Sequence, residues 1–221
     1  PENVTIFGES AGGSAVCSLL AATGAEGLFH RGIIESGGCS ASPLRGGSRG
    51  TFDVGDTLVE RLGCTGAGEL ACLRALTTEQ ILEAVSEDAS GLGFAPYGPA
   101  VDGATFTDSP AQLLADGVGV DVPLMVGSNL NEMTVFLLGT TRPATTDAIR
   151  AHFLSAVGND ETRADALVEL YDVTTDEDAP RAFVAFATDR AFACDALSIA
   201  ETAASVGREV YLYEFQHVVG N

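Results

Sequence analysis

The sequence contains no lysine, and arginine supplies all eleven of its basic residues. Acidic residues number 31, so the formal net charge is −20 at pH 7. A surface this acidic repels nucleic acid and anionic lipid, which argues against partners of either kind. No stretch reaches the roughly 18 uninterrupted apolar residues that a membrane span needs. The remaining composition, 46% hydrophobic and 19% charged, is that of a globular protein.

Cysteine is scarce and is not spaced for metal binding. The five cysteines form no C-x-x-C pair and no cluster with histidine, so we expect neither a metal site nor a cofactor. Cys64 and Cys72 bracket the short segment CTGAGELAC, and a disulfide between them is possible if the geometry allows it. The odd count leaves at least one thiol free, or paired outside the chain. The first residues also lack the basic and apolar segments of a signal peptide.

Short apolar runs alternate with segments of helical spacing along the chain. The pattern predicts strands over 4–7, 32–35, 122–127 and 209–215, a loop over 86–100, and helices over 11–22, 51–62, 68–86, 108–117, 143–157, 160–171 and 176–206, the last broken near Asp189. Thr77 and Gln80 have the spacing of a capping box. The alternation is typical of an α/β fold with a mostly parallel sheet flanked by helices, and no linker divides the chain.

The stretch Gly8-Glu9-Ser10-Ala11-Gly12 matches G-x-S-x-G and joins the first predicted strand to the first predicted helix. So tight a turn forces the serine into strained backbone geometry, and glycines on both sides remove Cβ atoms that would collide. The motif therefore predicts a nucleophile elbow, with Ser10 as nucleophile and the N–H of Ala11 facing the developing oxyanion. The alternative is an ordinary turn with a capping serine.

An elbow of this kind needs an acid and then a histidine, in that chain order. Glu132 follows the strand predicted over 122–127 and is the candidate acid, although an acidic chain often places a glutamate after a strand by chance. Chain order excludes His30, which precedes Glu132. His152 lies in a predicted helix, as a surface or packing residue. His217 follows both Glu132 and a strand, so order alone permits it as the base.

Several stretches resemble the type-B carboxylesterase/cholinesterase family of α/β-hydrolases. They are PENVTIFGESAGG, GLFHRGIIESGG, CTGAGELACLRALTTEQIL, GPAVDG, VGSNLNEMTVFLLG, DRAFACD and VYLYEFQH, in the family's order over nearly the whole chain. The resemblance implies that residues 1–221 form the central part of an α/β-hydrolase domain. The family's Gly-rich oxyanion loop would precede this part and its catalytic histidine would follow it, which makes His217 non-catalytic.

The resemblance also assigns roles to individual residues near the elbow. It implies that Ser10 forms the acyl-enzyme, that Glu132 is the triad acid and that Ser36 supports this acid. For Ser36 the alternative is simply the end of a strand. Glu9 would shape the electric field beside the nucleophile, or else it is a solvent-facing residue of the elbow.

Further matches to the family lead to expectations about the substrate and the cellular compartment. Phe136 matches a residue lining the family's acyl pocket, although a core position explains it equally well. Val135 stands where choline esterases carry an aromatic residue, which argues against a quaternary-ammonium substrate. The family match implies a Cys64–Cys72 disulfide, hence an oxidising compartment, so we expect a secreted or periplasmic protein. It leaves Cys194 as a free thiol, because the usual partner is absent.

The combined expectation is a serine carboxylic-ester hydrolase that acts on neutral, apolar, small-molecule esters without a cofactor. These 221 residues alone should show little turnover, because Ser10 lacks its base. Two alternatives stay open: a non-catalytic cholinesterase-like adhesion or binding domain, and a relative that cleaves amides or carbamates.

Overall fold

The computed structural model describes residues 2–39, 51–86 and 98–217. The chain divides into two compact units, one made of Pro1–Cys17, Phe29–Gly38 and Asp121–Asn221 and the other of Ser18–Leu28 and Cys39–Val120. Within the described ranges, no helix combines the length and apolar character needed to cross a membrane.

The first unit contains a four-stranded parallel sheet. Its strands are β1 (Thr5–Glu9), β2 (Arg31–Glu35), β3 (Leu124–Asn129) and β4 (Val210–Phe215), in the spatial order β1-β2-β3-β4. The register places Glu9 beside Glu35 and Glu35 beside Gly127. The residues that follow β1, β2 and β3 therefore meet at one edge of the sheet. The predicted parallel sheet is confirmed.

Helices lie between these strands along the chain. In chain order they are α1 (Ala11–Ala21), α2 (Thr51–Arg61), α3 (Glu69–Ala75), α4 (Thr78–Ser86), α5 (Pro110–Ala115), α6 (Met133–Phe136), α7 (Thr146–Ala156), α8 (Glu161–Leu170), α9 (Ala179–Thr188) and α10 (Cys194–Ser205). A 3₁₀ turn over Asp176–Asp178 precedes α9, and a π-helical segment over Asp189–Ala193 separates α9 from α10. Most of the predicted loop over 86–100 lies outside the described residues.

Of two long helical predictions, one is divided in the structure and the other is interrupted where predicted. The helix predicted over 68–86 is two helices, because Leu76 adopts extended backbone with ψ 151°. The capping box restarts the chain as a helix: the N–H of Thr77 donates to Gln80 Oε1 (2.9 Å), and the N–H of Gln80 donates to Thr77 Oγ1 (3.3 Å). The break predicted near Asp189 is the π-helical segment.

The two faces of the sheet differ in burial. On one face Ile34, Leu124 and Val126 are at most 1% exposed, and α10 packs against β3 and β4. On the other face Phe7 is 72% exposed. The prediction of a buried first strand is therefore wrong for this face, because the described residues leave the face open: Met125, on the inner strand β3, shares it and is 42% exposed.

Helices α7, α8 and α9 of the same unit enclose a separate apolar cluster. Its fully buried members are Ile149, Phe153, Ala164, Ala179 and Ala182. Burial of one such large side chain stabilises the fold by about 1.5–3 kcal/mol. The ring of His152 lies at the margin of this cluster, 4.9 Å from that of Phe183. It also meets the ring of Phe186 edge-on (5.7 Å), so His152 is a packing residue. Burial lowers the pKa of His152, and nearby Arg190 lowers it further.

The second unit is held by a disulfide and by local caps. Cys64 and Cys72 are bonded, with Cα atoms 5.4 Å apart, as the family resemblance implies. Ser109 caps α5 by accepting a hydrogen bond from the N–H of Gln112 (3.2 Å). The Asp102 carboxylate accepts hydrogen bonds from three successive backbone amides, which lowers its pKa.

Candidate active site

Ser10 forms the junction between β1 and α1. Its φ is +54°, in the left-handed region, which costs an ordinary residue about 1–2 kcal/mol. Its N–H donates to the carbonyl oxygen of Glu35 on the neighbouring strand (2.9 Å), and its own carbonyl accepts from the N–H of Ser14 (3.0 Å). The residue thus ends the strand and begins the helix within one turn.

Glycines make this turn sterically possible, although not the pair that the motif predicts. A Cβ on Gly8 would overlap the backbone of Gly12, so Gly8 is needed, whereas a Cβ on Gly12 would meet nothing within 4 Å. The prediction for Gly12 is wrong, because its backbone is the part that comes close. A second close approach was missed: a Cβ on Gly37 would lie 2.7 Å from Cα of Gly13. The Gly-Gly pairs at 12–13 and 37–38, each just after a turn serine, are the signal for this contact.

Ser36 forms a second turn of the same kind, after β2. Its φ is +52°, and its N–H donates to the carbonyl oxygen of Gly127 on β3 (2.8 Å). Its side chain is buried, and its hydroxyl donates to Oε1 of Glu132. Neighbouring strands lie about 4.8 Å apart, so Ser10 and Ser36 are adjacent at the edge of the sheet.

Glu132 lies just before α6 and is held by three donors. Besides Ser36, the backbone N–H of Asn129 (2.8 Å) and its side-chain Nδ2 (3.0 Å) both donate to Oε1. Within the described part of the chain, no hydrogen bond reaches Oε2. The carboxylate is thereby fixed through one oxygen, while the other remains available to a further donor. This role of Asn129 was not predicted; its position three residues before Glu132, at the end of a strand, is the signal.

A cavity of about 420 Å³ opens on the exposed face of the sheet near this edge. Its walls are formed by Glu9, Ile33, Glu35, Ser36, Met125, Asn129, Tyr213 and Phe215. Gly127 leaves room for the ring of Tyr213, which a Cβ there would overlap. Burial raises the pKa of Tyr213, and the carboxylates of Glu35 and Glu132 raise it further, so its phenol stays protonated at neutral pH.

Other predicted residues occupy distinct places. Glu9 is exposed at the end of β1 and lines the cavity, and Ala11 is the first residue of α1, where backbone amides lack intrahelical acceptors. Phe136 ends α6, where its ring stacks on that of Phe192 with centroids 6.0 Å apart. Val135 is 62% exposed. The structure therefore brings Glu9, Ser10, Ala11, Ser36 and Glu132 to one edge, and places Phe136 in an aromatic pair of its own.

Two histidines lie at opposite ends of the sheet. The N–H of Val4 donates to Nδ1 of His30 (3.2 Å), just before β2 begins. The five residues of β2 separate this end from the turn at Ser36 by about 16 Å. His217 is exposed two residues after β4, with its ring centroid 6.1 Å from that of Phe215. Of these two histidines, only His217 follows the carboxyl end of a strand.

The remaining cysteines resolve the odd count. Cys17 and Cys39 are each disulfide-bonded, and Cys194 is free and exposed. Burial raises the pKa of the Cys194 thiol, and nearby Asp189 and Asp195 raise it further. In the described ranges, no three histidine, cysteine or acidic side chains are grouped to hold a metal ion.

Comparisons with known proteins give consistent matches. The model of the carboxylesterase family matches residues 1–220. Lipase 5 of Diutina rugosa is 38% identical over 177 residues, covering 73% of the chain and 32% of the lipase. Cocaine esterase of Homo sapiens is 32% identical over 232 residues, covering 98% of the chain and 40% of the esterase.

Solved structures agree with these relatives. A crystal structure of a carboxylesterase from Geobacillus stearothermophilus superimposes with a TM-score of 0.72 at 26% identity, covering 100% of this chain and 45% of that one. The predicted α/β-hydrolase fold is confirmed. The chain spans between 32% and 40% of the length of the two curated relatives named above.

Proposed function

Because this chain belongs to the carboxylesterase family, we propose that the protein containing it is a serine carboxylic-ester hydrolase with Ser10 as its nucleophile. One observation carries the proposal. Ser10 stands on a left-handed turn between a strand and a helix, and its neighbour at the edge of the sheet, Ser36, donates a hydrogen bond to Glu132. Nucleophile and acid are thus linked through one intervening residue.

The proposed reaction has two stages. The hydroxyl oxygen of Ser10 attacks the ester carbonyl carbon while a histidine takes the hydroxyl proton. The N–H of Ala11 donates to the oxyanion, and such a donor contributes about 2.7–4 kcal/mol to transition-state stabilisation. The histidine then gives its proton to the departing alcohol, and water releases the acid from the acyl-enzyme by the same route.

Glu132 would hold that histidine in place. Its Oε1 is occupied by donors from Ser36 and Asn129, so Oε2 is the atom we assign to the imidazole N–H. This bond would fix the tautomer of the ring and stabilise the imidazolium during attack. We place the base on a histidine of the protein outside these 221 residues, with His217 as the alternative within them. Without its base, Ser10 would turn over little substrate, so we expect the 221-residue chain alone to be nearly inactive.

We propose neutral, apolar small-molecule esters as the substrates, because Ile33, Met125 and Phe215 give the cavity an apolar wall. Glu9 and Glu35 stand side by side in the register and both line the cavity, so an anionic substrate would be repelled. Position 135 offers no aromatic ring to a quaternary ammonium group. We also propose a secreted or periplasmic location, which the disulfides at Cys64–Cys72 and at Cys17 and Cys39 support.

The test is covalent labelling of the full-length protein with a fluorophosphonate probe, together with hydrolysis of p-nitrophenyl butyrate. The parent and a Ser155→Ala control, which changes an exposed residue of α7, should label and hydrolyse equally. Ser10→Ala should do neither. A Ser10→Ala protein that labels as strongly as the parent would remove Ser10 from the nucleophile role.

The same experiment separates the alternatives. A folded parent that neither labels nor hydrolyses supports the adhesion or binding domain. A parent that labels and cleaves a matched anilide or carbamate faster than the ester supports the amide- or carbamate-cleaving relative.

A further inference from the structure

A buried threonine holds the backbone beside Glu132. The backbone N–H of Met133, the residue after Glu132, donates to Oγ1 of Thr188 (3.1 Å). Thr188 is 1% exposed, and it is 55 residues further along the chain. It is the last residue of α9, directly before the π-helical segment.

This contact replaces the usual cap of a helix. The first amides of a helix have no intrahelical acceptor, and a side chain at the N-cap commonly serves them. Glu132 occupies the N-cap position of α6, yet its side chain makes no capping bond. It turns instead to Ser36 and Asn129. Thr188 supplies an acceptor at this helix start, and the Glu132 carboxylate is committed elsewhere.

We infer that Thr188 is a positioning residue for Glu132. It fixes the backbone on the carboxyl side of the acid, while Ser36 and Asn129 fix the carboxylate itself. The acid is therefore clamped from two sides, by the edge of the sheet and by the end of α9. This role rests on the function proposed above for Glu132.

The surroundings of Thr188 are suited to such a clamp. π-Helical segments interrupt the regular hydrogen-bond ladder and are frequent at functional sites. Here the segment begins at Asp189, whose Oδ2 accepts a hydrogen bond from the hydroxyl of Tyr171 (2.6 Å). Thr188 and Asp189, the two successive residues where α9 ends, are thus both held by side-chain hydrogen bonds.

The test compares Thr188→Val with Thr188→Ser in the full-length protein. Valine keeps the shape and removes the acceptor, whereas serine keeps the acceptor. We expect Thr188→Val to lower kcat for p-nitrophenyl butyrate roughly tenfold with KM within about twofold, because small displacements of catalytic groups are costly. Thr188→Ser should recover most of kcat.

A pH profile separates positioning from general loss of stability. A loosened carboxylate stabilises the imidazolium less, so the acid limb of kcat/KM should move to lower pH in Thr188→Val. Val184→Ala, a buried change on the same helix, should lower the melting temperature and leave that limb in place. Unchanged kcat and an unchanged limb in Thr188→Val would overturn the inference, as would serine failing to rescue a folded protein.

The Glu132→Gln background distinguishes this inference from the proposed function. With the acid already removed, adding Thr188→Val should change kcat less than twofold, because the two residues act as one unit. Full activity in Glu132→Gln alone would refute the proposed acid. A large loss in Glu132→Gln combined with none in Thr188→Val would refute only the role of Thr188.

Discussion

Ser10 and Ser36 occupy two turns with the same backbone conformation, but their side chains differ in burial and in bonding. Each follows a glutamate at the end of a strand, each has a φ between +52° and +54°, and each donates its N–H to a carbonyl of the next strand. The hydroxyl of Ser36 is buried and bound to Glu132. Ser10 is half-buried at the start of α1. In the function proposed above, the same turn presents one hydroxyl for reaction and uses another to hold an acid.

The comparison shows that backbone geometry alone does not identify a nucleophile. Both serines have the strained, left-handed backbone expected of a nucleophile elbow. Such strain persists only where the surrounding structure enforces it. What separates them is the segment that follows: a helix, whose first amides can bind an anion, after Ser10, and residues 37–39, which form no helix or strand, after Ser36.

The largest expected effect comes from removing each hydroxyl in turn. In the full-length protein, Ser10→Ala should lower kcat/KM for p-nitrophenyl butyrate by about 10⁴-fold to 10⁶-fold, because no nucleophile remains. Ser36→Ala should lower it by about 10-fold to 100-fold, since Glu132 loses one charged hydrogen bond of three. Equal losses in the two variants would break the distinction between the turns.

The second effect concerns the glycines of the first turn and is measured as stability. Gly8→Ala should destabilise the protein by about 1–3 kcal/mol or more in urea denaturation, because the new methyl group overlaps Gly12. Gly12→Ala is the matched control: its Cβ meets open space inside α1, so stability should hold or rise by up to about 1 kcal/mol. Similar losses in both would contradict the packing described above.

A smaller effect tests the strain of the turns themselves. Ser10→Gly and Ser36→Gly should each be about 1 kcal/mol more stable than the corresponding alanine variant, because glycine accepts a positive φ without steric cost. Ser10→Gly should nevertheless be inactive. Melting curves of the four variants, with activity measured alongside, check this. Alanine variants that melt no lower than the glycine variants would show that neither turn is strained.

The smallest expected effect concerns another carboxylate held by hydrogen bonds, that of Asp178. Asp178 accepts hydrogen bonds from the N–H groups of Thr175 (2.9 Å) and Thr174 (3.0 Å), which lower its pKa to about 2. Its ordinary pKa is about 3.9, so its stabilising effect is complete above pH 4 and is lost as the pH falls towards 2.

Melting temperatures measured between pH 6 and pH 2 test this expectation. The parent should lose more stability below pH 4 than Asp178→Asn does, because asparagine does not titrate. Asp147→Asn, at an exposed position of α7, is the control and should follow the parent. Parallel curves for Asp178→Asn and the parent would show that this carboxylate contributes nothing to acid sensitivity.

Local patterns were sufficient to predict much of this fold. The alternation of short apolar runs and helical spacing predicted the parallel sheet, and the capping box at Thr77 predicted the start of α4. The motif around Ser10 placed the strained turn correctly. In each case the residues that determine the structure are neighbours in the sequence.

The misses involve contacts between distant segments. Gly37 must be glycine because Gly13 lies against it, and Thr188 bonds a residue 55 positions away. Exposure of Phe7 depends on what covers that face of the sheet, which spacing within one strand does not reveal. The roles of Asn129 and Tyr213 likewise arise only when β3, β4 and the end of β2 are brought together.

The π-helical segment also determines which face of α10 points toward the sheet. A π turn accommodates one residue more than an α turn. Deleting one residue between Asp189 and Ala193 would restore a continuous α-helix and rotate α10 by about 100° relative to α9. The buried residues of α10, Ala196, Ile199, Ala200 and Ala203, would then be turned by about that angle out of their present packing. A deletion of one residue here would therefore disrupt the packing of the core, although every core residue would still be present.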